Sequence, residues 1–109
     1  MATAEQRKQY NRAYYLRGGK ANVTAHRAAN RATLRAAIKE SKDVPCTDCG
    51  ELHPPYVMDF DHLDPTTKVM SVADMVTRNV SLVTLMAEIA KCEVVCANCH
   101  RIRTHDMDL

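Results

Sequence analysis

Cys46-Thr47-Asp48-Cys49 and Cys96-Ala97-Asn98-Cys99 are two copies of one pattern, a pair of cysteines with two residues between them. That spacing lets one tight turn aim both sulfurs at a single point, and a structural zinc ion takes four thiolates in a tetrahedron with no open position. Gly50 follows the first pair and gives the backbone freedom to turn there. The second pair lacks a glycine and runs into His100-Arg101, which suits the start of a helix. Forty-six residues separate Cys49 from Cys96, more than a zinc ribbon uses, so an insert must fold between the two turns. Disulfides are the competing reading. The N-terminus is basic without an apolar leader segment, so a cytoplasmic chain with reduced thiols is expected, and five cysteines cannot all pair. Cys92 is the odd one. A Cys92-x-x-x-Cys96 register is open to it, but its setting in Cys92-Glu93-Val94-Val95 favours a small buried residue.

Working outward, 109 residues suffice for one domain and an appendage. Tryptophan is absent and aromatics make up 5%, so a metal staple is expected for the cysteine-bearing part. No apolar run is long enough to cross a membrane. The net charge of +2 conceals a division. Residues 1–42 hold ten Lys/Arg and two acids, and the remainder holds five bases and eleven acids, so +8 stands against −6. A basic arm on an acidic body fits a protein that meets a polyanion while keeping carboxylates for a cation. The division places a basic helical arm at 1–45 and the cysteine-framed domain at 46–109.

In the arm, Thr3 and Gln6 form a capping box opening a first helix, and Gly18-Gly19 ends it. A second helix spans about 20–41, with Val23, Leu34 and Ile38 its only large aliphatics, too few for a broad buried face. Two readings stand side by side: a solvated extension, or an arm laid along nucleic-acid phosphates by Arg27, Arg31 and Arg35, spaced by four. Tyr10 and Tyr14 suit helix packing better than base stacking.

In the insert, Pro54-Pro55 enforces a loop in which His53 is expected to be exposed. Residues 56–62 read as a strand, with Val57, Asp59 and Asp61 on one face and Met58, Phe60 and His62 on the other. Taken alone, His62 reads as a core histidine. The acids on its strand need water or a cation. Asp64-Pro65 supplies a turn, Ser71 caps a short helix, and Ser81 caps a longer one whose Leu82, Leu85, Met86 and Ile89 point inward. A brief strand at 92–95 and a basic helix at 97–105 complete an α+β chain. His105, five residues from His100, shares no helical face with it.

Cys46-x-x-Cys49, then Phe60-Asp61-His62, then Cys96-Ala97-Asn98-Cys99-His100-Arg101 resembles the HNH endonucleases, the ββα-metal nucleases, in their zinc-bearing form, small versions of which are frequent in bacteriophages. The resemblance covers about residues 46–105. It implies a ββα-metal core stapled by a four-cysteine zinc site of Cys46, Cys49, Cys96 and Cys99. It also implies His62 as general base, Asp61 and His100 as ligands of a catalytic Mg²⁺, Mn²⁺ or other divalent ion, and cleavage of DNA leaving a 5′-phosphate. Where that family often has an asparagine, about five residues before the second cysteine pair, this chain has Lys91. Arg101 and Arg103 are candidate phosphate contacts, or a solvated helix face. Asp59 is a candidate for supporting the metal ligands or His62. A phage packaging or recombination protein is a further partner the arm could dock. The rival is a zinc-ribbon module that binds nucleic acid or protein without cutting; it leaves the juxtaposition of Asp61-His62 with Cys99-His100 unexplained.

Overall fold

The computed structural model describes residues 3–108 and, at Tyr15 and Asp108, the backbone alone. Its elements are α1 (Ala4–Tyr14), α2 (Lys20–Ser41), β1 (Met58–His62), α3 (Val72–Thr77), α4 (Leu82–Ile89), β2 (Cys92–Cys96) and α5 (Ala97–Asp108). The fold is α+β. β1 and β2 pair antiparallel, with Met58 opposite Cys96 and His62 opposite Cys92. The strand pair therefore closes the insert and delivers both cysteine turns to one end.

Local chemistry sets the helix ends. Gln6 N–H donates to Thr3 Oγ1 at 3.1 Å while Thr3 N–H donates to Gln6 Oε1 at 2.8 Å, a complete capping box. Ser71 and Ser81 cap α3 and α4 through the N–H groups of Asp74 and Thr84, each at 3.2 Å. The glycine pair kinks the chain between α1 and α2. Gly18 takes a left-handed φ of 98°, and a Cβ at Gly19 would collide with the Tyr14 ring, so the turn admits no side chain there.

The second half of α2 departs from the solvated extension. Leu34 is fully buried against Val72, Met75 and Leu85, with Ala37 and Ile38 beside it. The six residues of α3 and eight of α4 cannot bury their apolar faces against each other alone, so the narrow Leu34/Ala37/Ile38 stripe completes their core. Polar ties secure the same contact. Asn30 Nδ2 donates to the Val80 carbonyl at 2.9 Å, and Asn79 Nδ2 donates to the Arg27 carbonyl at 2.8 Å.

There are thus two apolar clusters. One surrounds the cysteines with Met58 and Val95; the other is the α2–α3–α4 junction, which Phe60 joins from β1. On α4, Leu82 and Met86 are 40% and 41% exposed, contrary to the inward stripe read from periodicity. The face turned inward is centred on Leu85 and, unexpectedly, Glu88. Among the described residues no helix is long and apolar enough to cross a membrane.

Candidate metal centre and the cleft beside it

The sulfurs of Cys46, Cys49, Cys96 and Cys99 lie within 4.8 Å of one another. Four sulfurs at 2.3 Å from a tetrahedral zinc stand about 3.8 Å apart, so the cluster could hold a zinc ion. Each turn points backbone N–H groups at sulfur: Cys96 N–H donates to Cys46 Sγ at 3.3 Å and Cys99 N–H to Cys96 Sγ at 3.4 Å. Such bonds favour thiolates. Burial pushes the Cys46 thiol up, but N–H groups of Cys49, Cys96 and Asp48 outweigh it and draw it down to about 6. The Cys96 sulfur and burial push Cys99 up to about 12. One thiolate among crowded sulfurs resists further ionisation, a conflict that a divalent cation resolves. All five cysteines are free. Cys92 turns to α4 instead, its thiol 3.5 Å from the Glu88 carbonyl it donates to. His53 is not a free loop residue: it is half-buried, with Nε2 4.0 Å from Cys49 Sγ and 3.9 Å from Glu51 Oε2.

Asp59 and Asp61 share the strand face over which α5 packs, and both reach His100. Asp59 Oδ2 lies 3.0 Å from His100 Nδ1, and Asp61 Oδ1 lies 3.6 Å from His100 Nε2. Asp59 accepts from the nearer ring nitrogen, so Nδ1 carries a proton, and Nε2 faces the Asp61 carboxylate. The other oxygen of Asp61, Oδ2, accepts from Arg103 at 2.9 Å. Arg103 also makes a two-pronged bond to Asp48 inside the first cysteine turn, at 2.6 Å on both arms, and approaches Glu93 at 3.4 Å. Three carboxylates thus engage Arg103, and its guanidinium links a cysteine turn to Asp61. Arg101 is exposed beside Asp59 and His100 on a groove of about 620 Å³.

His62 points away from Asp61, as its strand position requires, and donates from Nε2 to Glu88 Oε1 at 2.8 Å. Glu88 is 2% exposed and also accepts from Lys91 Nζ at 3.0 Å and from the Val69 N–H at 3.1 Å. Burial would push this carboxyl up, but Lys91, His62 and Val69 together draw it down to about 2. Lys91 further donates to the Thr67 carbonyl at 2.8 Å, so Glu88 and Lys91 pin the loop that follows Asp61-His62. Periodicity counts apolar positions, so an acid three residues after Leu85 passed unseen.

His62 and His100 both line a cleft of about 390 Å³, together with Asp59, Phe60, Lys42 and Lys68. Residues from both faces of β1 line it, so it crosses the strand's unpaired edge. Lys42 Nζ stands 5.2 Å from the Phe60 ring centroid. No sequence pattern marked either lysine. Arg27 and Arg35 are exposed and Arg31 half-buried along α2. Set against protein-family models, curated proteins and solved structures, the chain matches none.

Proposed function

We propose that the chain is a metal-dependent DNA endonuclease of HNH type, with a structural zinc at the four cysteines. One observation carries the reading: Asp61 Oδ1 and His100 Nε2 face each other at 3.6 Å, while Arg103 and Asp59 hold the opposite atom of each residue. Neighbouring ligands about 2.1 Å from an octahedral ion stand about 3.0 Å apart, so the pair would close by roughly half an ångström on an ion, and mixed oxygen and nitrogen donors suit Mn²⁺ or a neighbouring first-row ion, with Mg²⁺ the more demanding. Such an ion, bound there, supplies charge relief at a phosphate.

The chain's own groups do the remaining work. With Nε2 donating to Glu88, His62 has Nδ1 as its proton acceptor for a water in the cleft. Lys42 and Lys68 set positive charge beside the same space. Arg27, Arg31, Arg35 and Lys39 recur every four residues on α2, and Lys42 continues the row into the cleft. At 1.5 Å per residue the row is roughly 22 Å long, a track for several phosphates of one strand. The β1–β2–α5 order, with a cysteine turn before each half, supports the same assignment.

Asp61's ion pair with Arg103 is the observation favouring the rival, a zinc module that binds without cutting, because a carboxylate so paired has a structural use. Plasmid incubated with repurified protein and Mg²⁺ or Mn²⁺ separates them. The nuclease reading expects divalent-dependent cleavage that His62→Ala reduces by at least about a hundredfold. Equal cutting by His62→Ala, or stoichiometric binding without turnover, refutes it.

A further inference from the structure

We infer that Glu88 is the positioning residue of His62: its carboxylate fixes the imidazole as the Nε2–H tautomer and, through Lys91, locks the ring to the loop at 63–69. The inference rests on the nuclease reading for its kinetic consequence, but its structural content stands apart from it.

A carboxylate at 2% exposure in an apolar helix junction is unfavourable unless every acceptor site is matched. Buried charge clusters are weak evidence of stabilisation, since apolar residues of like volume often serve as well. Glu88 must therefore be explained by what it holds. Its three donors come from three places: the end of β1 (His62), the loop (Val69) and the residue two beyond α4 (Lys91). Lys91 uses a second hydrogen to hold the Thr67 carbonyl, and Leu63 N–H bonds the Lys91 carbonyl at 3.1 Å. The group thus clamps the chain on both sides of the turn after His62. An ionised carboxylate only accepts, so Nε2 must bear a proton, and in the neutral imidazole Nδ1 is the bare nitrogen. His100 is held by its other ring nitrogen, with Asp59 accepting from Nδ1 and Nε2 facing Asp61. Two histidines line one cleft, His62 held through Nε2 by Glu88 and His100 through Nδ1 by Asp59, so each is oriented by a carboxylate on a different ring nitrogen.

The test uses the full chain, zinc-loaded and free of added divalent ions. Long-range ¹H–¹⁵N spectra of histidine-labelled protein report each ring's tautomer, with His62→Gln identifying the His62 signals. The parent is expected to show Nε2–H at His62. Glu88→Met should give mixed tautomers, and with DNA and Mn²⁺ a kcat about ten- to a hundredfold lower at unchanged KM. The double variant Glu88→Gln with Lys91→Met keeps an acceptor for His62 without leaving a charge unpaired, and should retain the tautomer while losing the Lys91 tie to the loop. An Nδ1–H tautomer in the parent, or a Glu88→Met chain with both tautomer and kcat intact, overturns the inference. The parent spectrum decides even if Glu88→Met does not fold. A parent that keeps the Nε2–H tautomer yet cuts no DNA refutes the nuclease reading and leaves the Glu88–His62 coupling standing.

Discussion

Replacing Arg103 by methionine perturbs the candidate divalent site without touching either ligand. Two effects oppose each other. Arg103 holds Asp61 Oδ2 at 2.9 Å, and both side chains are about a quarter exposed, at 24% and 27%. A hydrogen bond between charged groups contributes about 1.5–3 kcal/mol, and the partial exposure puts this one at the lower end. Losing it frees the Asp61 carboxylate to rotate away from His100 and should weaken metal binding about tenfold, the low end for residues that orient ligands. Against this, a bare guanidinium repels a divalent ion, so its removal should tighten binding. That repulsion is largely cancelled, because Asp48 and Glu93 surround the same guanidinium. Orientation therefore wins. Mn²⁺ titration of zinc-loaded, DNA-free protein, followed by the electron paramagnetic resonance signal of the free ion, should show about tenfold weaker binding for Arg103→Met. Asp48→Asn, which loosens Arg103 and leaves its charge less balanced, should also weaken binding. Unchanged or tighter binding by Arg103→Met refutes the reasoning and makes Arg103 a competitor for Asp61.

Leu34→Ala should lose about 2–5 kcal/mol, because the Leu34 side chain is fully enclosed; Val23→Ala, at a half-buried position early in α2, should lose less than about 0.5 kcal/mol, and urea titration of both distinguishes an integral helix from an appended arm. Cys99→Ser should drop bound zinc well below one per chain while Cys92→Ser keeps it at one, read by metal analysis, since only Cys99 belongs to the sulfur cluster. Glu88's carboxyl is depressed from 4.5 to about 2 in the folded chain, so the stability it contributes is present above about pH 4.5 and lost as pH falls toward about 2. The shift corresponds to about 3 kcal/mol, and the stability gap between parent and the Glu88→Gln, Lys91→Met pair should narrow by about that much across the window in zinc-buffered denaturant titrations.

What the residues reveal before folding is what acts over short distances along the chain. The Thr3–Gln6 box, the Ser71 and Ser81 caps and the two cysteine turns each close within four residues, so their chemistry is visible in the sequence. Leu34 escaped because three small or medium apolar residues on an alanine-rich helix look like a solvated face until two helices too short to close their own core are set against it. Glu88 escaped for the converse reason: a hydrophobic count treats an acid as a gap, although the acid sits at the centre of the buried face. The site shows the same division more sharply. Strand alternation places Asp59 with Asp61 and sends His62 the other way, and that much is local. Which atom of each residue remains free is not local. It depends on α5 bringing His100 between the two aspartates and Arg103 behind one of them, and on α4 bringing Glu88 under His62. A histidine with one nitrogen held can do one thing with the other, and a carboxylate with one oxygen held can do the same. The chemistry open to Asp61, His62 and His100 is therefore set less by those residues than by the three that occupy their other atoms.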